Sequence, residues 1–194
     1  MLEVFGNARS RTFRVLWLLE ELGEDYVHIP AMPGSKNVKV LNPSGKIPVL
    51  IADGEVITDS SAILHFLADR SRRFTFPAGT RKRAQQDSWT HFVLDELDAC
   101  LWAAARHSFV LPEERRVPAL KPTLRWEFEN SIRILGEKLG TGPYIAGSHM
   151  TVPDIILGHC ARWAELANFK IVESNVVALV NRLHSREAYR RLIR

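Results

Sequence analysis

Two features able to hold a ligand lie close together between Asn42 and Leu64, in the run NPSGKIPVLIADGEVITDSSAIL. Thr58, Asp59 and Ser60 come just before Ile63, Leu64, Phe66 and Leu67, whose spacing is helical, so their oxygen-bearing side chains fall at a helix N-terminus. The first amides of a helix have no intrahelical acceptor and the dipole is positive there, which favours a carboxylate. Upstream, Pro48 stands at the start of the apolar run Val49, Leu50, Ile51 and Ala52. A proline at a strand start donates no hydrogen bond and leaves the backbone before it open to another partner, such as a peptide-like ligand. Backbone offered beside a helix N-terminus suits a small extended peptide with a charged end.

Those features need elements to position them. Asn42, Pro43, Ser44 and Gly45 form a turn, and Asp53-Gly54 between Leu50-Ile51-Ala52 and Val56-Ile57 predicts a hairpin. Before them, Leu2, Val4 and Phe5 give a strand pattern, followed by the polar break Gly6 to Ser10. From Arg11, Val15, Leu18, Leu19 and Leu22 line one helical face, and Gly23 stops the helix. Tyr26 to Ile29 reads as a second strand, Pro30, Pro33 and Gly34 break the chain, and Lys36 to Leu41 predicts a short helix. The order to residue 70 is therefore βαβαββα.

Residues 71–79, SRRFTFPAG, carry no periodic pattern and read as a linker. Beyond them the patterns are helical. Trp89, Phe92, Val93, Leu97, Cys100, Leu101 and Ala104 trace one amphipathic helix, and Leu124, Phe128, Ile132, Leu135 and Leu139 trace another. Thr151-Val152-Pro153-Asp154 has capping-box spacing and starts a third, and shorter helices follow through Leu183 and Tyr189. The expected domains are residues 1–72, α/β, and residues 79–194, all helical.

At 194 residues, 46% hydrophobic and 25% charged, the chain has the composition of a globular protein with a real core. Its net charge of +4 raises nucleic acid as a partner. The arginines at 70, 72, 73, 81 and 83, and at 186, 190, 191 and 194, form no helix-turn-helix or zinc pattern, so solvated faces are the better reading. No signal peptide or membrane span is expected, which makes the protein cytoplasmic. Cys100 and Cys160 fall on apolar stripes and read as core, and no metal site is expected.

With these pieces in order, the chain resembles the cytosolic glutathione S-transferase family over its full length. The turn from Asn42 to Pro48, the Asp59-Ser60 pair opening the third helix and the Thr151 to Asp154 box carry the likeness. The resemblance implies a thioredoxin-like N-terminal domain, an all-helical second domain forming the wall of an electrophile site, and a homodimer. It implies that Ile47-Pro48 is cis, that the Ile47 backbone pairs with the cysteinyl part of glutathione, and that Asp59 and Ser60 hold the γ-glutamyl end with Lys46 nearby. Asn7 and Lys36 are further glutathione contacts expected from it. It places the thiol-activating group in the loop Gly6 to Ser10, with Ser10 the choice. Trp102, Arg106 and His107 are electrophile-side residues by position. The expected activity is addition of the glutathione thiolate to small hydrophobic electrophiles; the alternative is a glutathione S-transferase-like binding module without turnover.

Overall fold

The computed structural model describes residues 1–193; Arg194, the last of the C-terminal arginines, lies outside the described residues. The chain divides into two compact units, Met1–Thr80 with His184–Arg194, and Arg81–Leu183.

In the first unit the predicted order is present: β1 (Leu2–Phe5), α1 (Thr12–Leu22), β2 (Tyr26–Ile29), α2 (Lys36–Leu41), β3 (Val49–Ala52), β4 (Glu55–Thr58) and α3 (Ser60–Ser71). The four strands form a mixed sheet in the order β2-β1-β3-β4, the thioredoxin-like arrangement. β1 runs parallel to β2 and antiparallel to β3, and β3 pairs antiparallel with β4. The β3–β4 turn is Asp53-Gly54, both with positive φ (53° and 87°), as a two-residue hairpin of matching twist requires. Val49 pairs with Thr58, so the residue before β3 (Pro48) and the residue after β4 (Asp59) end up at the same end of the hairpin. That register brings the two sequence-predicted halves of the candidate site to one end of the hairpin.

Val4 and Leu50 of the sheet, Val15, Leu18 and Leu19 of α1, and Ile63 and Leu64 of α3 are fully buried. Each such side chain stabilises the fold by about 1.5–3 kcal/mol relative to exposure. The spacing in α1 predicted one apolar face, yet every residue from Thr12 to Leu19 is buried. The cause is a further helix, α9 (Glu187–Leu192), which packs on α1 along with α3. Tyr189 meets Phe13 and Trp17 edge-on, with ring centroids 5.2 and 4.9 Å apart. Arg186 donates to the Glu21 carboxylate through Nε and Nη2 at 2.5 and 2.7 Å. The tail expected to belong to the helical domain is therefore part of the α/β unit.

In the second unit, α4 (Arg81–Phe92) and α5 (Ala99–Ala105) run on as one continuous helix through two π-helical turns, Val93–Asp98 and Arg106–Val110. A 3₁₀ turn at Glu113–Arg115 leads to α6 (Leu120–Leu139), α7 (Val152–Leu166) and α8 (Ser174–His184). Among the described residues of this unit there is no strand beyond an isolated Tyr144–Gly147 bridge. The capping box at the head of α7 forms: Asp154 accepts from the Thr151 N–H (2.8 Å) and hydroxyl (3.0 Å), and from the Ile145 N–H (2.9 Å). Cys100 and Cys160 are buried free thiols. No helix among the described residues is long and apolar enough to cross a membrane.

Candidate functional site

α3 begins because Asp59 caps it. Its Oδ1 accepts from the Ser61 and Ala62 amides at 2.8 and 3.1 Å, and from the Ser61 hydroxyl. Asp59 holds φ at 72°, a region that non-glycine residues rarely occupy and that recurs at ligand sites. Burial pushes its carboxyl up, but the Ser61 hydroxyl, the two amides and the nearby Arg14 charge outweigh this and hold it below the usual carboxylate range. Asp59 is an anion whose second oxygen has no partner among the described residues.

Ser60 is 3% exposed, and its Oγ accepts from Arg14 Nη1 at 3.4 Å. The Ser60 hydroxyl proton has no acceptor among the described residues, and its backbone N–H is one of the unpaired amides of the helix end. A carboxylate here would meet two donors, and an ammonium would meet the free oxygen of Asp59.

The turn before β3 is tied to itself. Asn42 accepts from the Ser44 N–H and hydroxyl (3.2 and 2.8 Å) and donates to the Lys46 carbonyl at 2.9 Å. Gly45 has φ of 67°, and a Cβ there would lie 3.2 Å from the Gly34 backbone. The Ile47-Pro48 bond is cis. Ile47 packs its side chain against Ala31, Val38 and Val49, while its backbone N–H and C=O have no partner among the described residues. Lys46 and Lys36 are exposed, and neither ammonium is engaged among the described residues.

Ser10 lies in the turn before α1, and its hydroxyl already has work. It donates to the Asn7 carbonyl at 2.6 Å, lies 3.0 Å from Thr12 Oγ1 and accepts from the Thr12 N–H at 3.2 Å. In this state the Ser10 hydroxyl satisfies the Thr12 amide at the start of α1, whose N-cap position is Arg11. The Asn7 amide donates from Nδ2 to the thioether sulfur of Met32 at 3.4 Å, so a donor suited to sulfur stands in the same loop.

The electrophile-side expectations fall in the second unit. His107 lines a cavity of about 580 Å³ with Ala104, Ser108, Arg116, Lys121 and Leu124. The Val117 N–H donates to His107 Nδ1 at 3.1 Å, which puts the ring proton on Nε2. Trp102 is half-buried and Arg106 is exposed, and neither lines that cavity. The metal-type atoms of Asp98, His159 and Cys160 lie within 4.8 Å of one another. The Cys160 thiol donates to Asp98 Oδ1 at 3.8 Å, a hydrogen-bonded core contact as it stands.

Arg14 escaped the sequence reading. An arginine among Phe13, Val15 and Leu16 was a usable signal, because a cation inside an apolar run is buried only with partners.

The family pattern described as "Glutathione S-transferase, N-terminal domain" matches residues 9–70. The chain is 28% identical to glutathione S-transferase GstA of Escherichia coli O157:H7 over 155 residues, covering 75% of this chain and 74% of that protein. It is 29% identical over 124 residues to elongation factor 1-gamma of Trypanosoma cruzi, covering 63% of this chain and 29% of that protein. Its fold superposes on the crystal structure of a glutathione S-transferase from Pseudomonas fluorescens with a TM-score of 0.82 and 26% identity, over 96% of each chain. The mixed four-stranded sheet, the helical unit after it and these likenesses agree: residues 9–70 carry the glutathione S-transferase N-terminal domain pattern, on a fold similar to that of solved glutathione S-transferases.

Proposed function

We propose that the protein is a glutathione transferase that adds the thiolate of glutathione to a small hydrophobic electrophile. The observation that carries this reading is the end of α3, where a buried hydroxyl proton, a free amide and an unengaged carboxylate oxygen stand together. A γ-glutamyl group, with one carboxylate and one ammonium on the same carbon, matches that set. Its carboxylate takes the Ser60 donors and its ammonium takes Asp59. The cysteinyl amide pairs with the open Ile47 backbone beside Pro48, and Lys46, Lys36 and Asn7 complete the contacts.

In this orientation the sulfur is directed toward the loop Gly6 to Ser10. A thiol of pKa about 8.5 is only a few per cent thiolate at neutral pH. Each unit by which a donor depresses that pKa is worth about 1.4 kcal/mol and raises the thiolate fraction nearly tenfold. Ser10 supplies the donor by turning its proton from the Asn7 carbonyl to the sulfur. The thiol proton leaves to solvent, the sulfur bonds to the electrophilic carbon, and with an aryl halide the halide departs. Trp102, Arg106 and His107 belong to the electrophile side of the proposal, and a homodimer is its expected assembly.

The test is conjugation of glutathione to an aryl halide by wild type and Ser10→Ala. A slower Ser10→Ala whose pH-rate profile moves to higher pH is expected; equal rates at every pH remove Ser10 from the mechanism. One observation favours a binding module without turnover: the Ser10 proton is spent on the Asn7 carbonyl. Glutathione binding by calorimetry with no turnover across an electrophile panel supports that second reading.

A further inference from the structure

We infer that Arg14 is a positioning residue of the α3 site, aiming the Ser60 hydroxyl proton at the ligand by donating into its oxygen. The inference rests on the α3 end being the γ-glutamyl site. Arg14 is fully buried in α1, a helix that packs on α3, and its Nη1 reaches Ser60 Oγ across 46 positions of sequence. A guanidinium has donors only. Facing one, a serine hydroxyl turns its own proton away and presents it elsewhere, and no described residue takes it.

The same cation stands near Asp59 and favours its ionised form, after the Ser61 hydroxyl and the two amides. One buried charge therefore sets a donor at Ser60 and supports an acceptor at Asp59, matching the two charged groups of a γ-glutamyl end. Lysine does not reproduce this, because its compact ammonium lacks the planar fork that reaches several acceptors.

The test is a double-mutant cycle on the whole chain, with glutathione affinity read by calorimetry for wild type, Arg14→Met, Ser60→Ala and the double variant. Arg14→Met is expected to weaken binding about tenfold in the wild-type background and by less than twofold in the Ser60→Ala background. In steady-state conjugation it raises KM for glutathione and leaves kcat nearly unchanged. Thermal melts verify folding, and if Arg14→Met does not fold, Arg14→Lys goes through the same cycle with a smaller loss of the same pattern. Equal losses in both backgrounds, or no loss in either, overturn the role of Arg14 while leaving the site intact. A wild type that does not bind glutathione overturns the site reading and this inference together.

Discussion

Ser60→Ala isolates the most specific contact of the proposed site. The change removes one hydroxyl from a position that is 3% exposed and leaves the helix cap, which is made by Asp59, in place. The lost bond is one from a neutral donor to a charged acceptor away from solvent, worth about 1.5–3 kcal/mol. At about 1.4 kcal/mol per decade, glutathione affinity should fall by about 10- to 100-fold. The stability cost should be small, since the Arg14–Ser60 contact is long at 3.4 Å and its loss shifts the melting temperature by only about 2–4 °C. Calorimetry with glutathione gives the affinity and a thermal melt gives the fold. An affinity within twofold of wild type, in a variant that melts normally, would refute the assignment of the γ-glutamyl carboxylate to Ser60.

Three further outcomes follow from the structure. Asp59→Asn keeps an oxygen for the cap and removes the negative charge, so glutathione binding should weaken about tenfold or more with little change in melting; a strong loss of stability with unchanged affinity would assign Asp59 to folding alone. Asp154 is fully buried, and burial pushes its carboxyl up to about 6 against the opposing hydrogen bonds from Ile145 and Thr151. A raised pKa gives a contribution that is full below about pH 4 and lost as pH rises through about 6, so the stability of wild type relative to Asp154→Asn should shrink over that window, by up to about 3 kcal/mol; chemical denaturation across pH 4–7 that shows the difference growing would contradict the sign. Arg186→Ala strips the bidentate partner from Glu21, whose side chain is 7% exposed, and should cost about 3 kcal/mol in denaturant unfolding, whereas adding Glu21→Gln should recover part of it; additive losses would show that the pair is not coupled.

What was legible in the sequence was local. Asp53-Gly54 marks its hairpin, Asp59 its helix start and Thr151 with Asp154 its cap through residues only a few positions apart, and all three formed. What was not legible depends on contacts between distant segments. Arg14 is buried because α3 and α9 both cover α1, and nothing near residue 14 states that. Tyr189 and Leu192 predicted a helix correctly, but the packing of that helix on Phe13 and Trp17 is a tertiary choice that moved it to the other unit. The π-helical turns at Val93–Asp98 and Arg106–Val110 leave the apolar spacing intact and so left no mark. At Ser10 the sequence is ambiguous for a chemical reason: accepting the Thr12 amide at the start of α1 and activating a thiol use the same hydroxyl.

The central claim is that glutathione lies across the end of the β3–β4 hairpin, between Ile47 and Ser60. The most direct measurement is a crystal structure of the protein with glutathione bound. It should show the cysteinyl amide hydrogen-bonded to the Ile47 backbone and the γ-glutamyl carboxylate within hydrogen-bonding distance of Ser60 Oγ and N. A tripeptide bound elsewhere, with the Ile47 backbone and the Ser60 hydroxyl left unengaged, would contradict it.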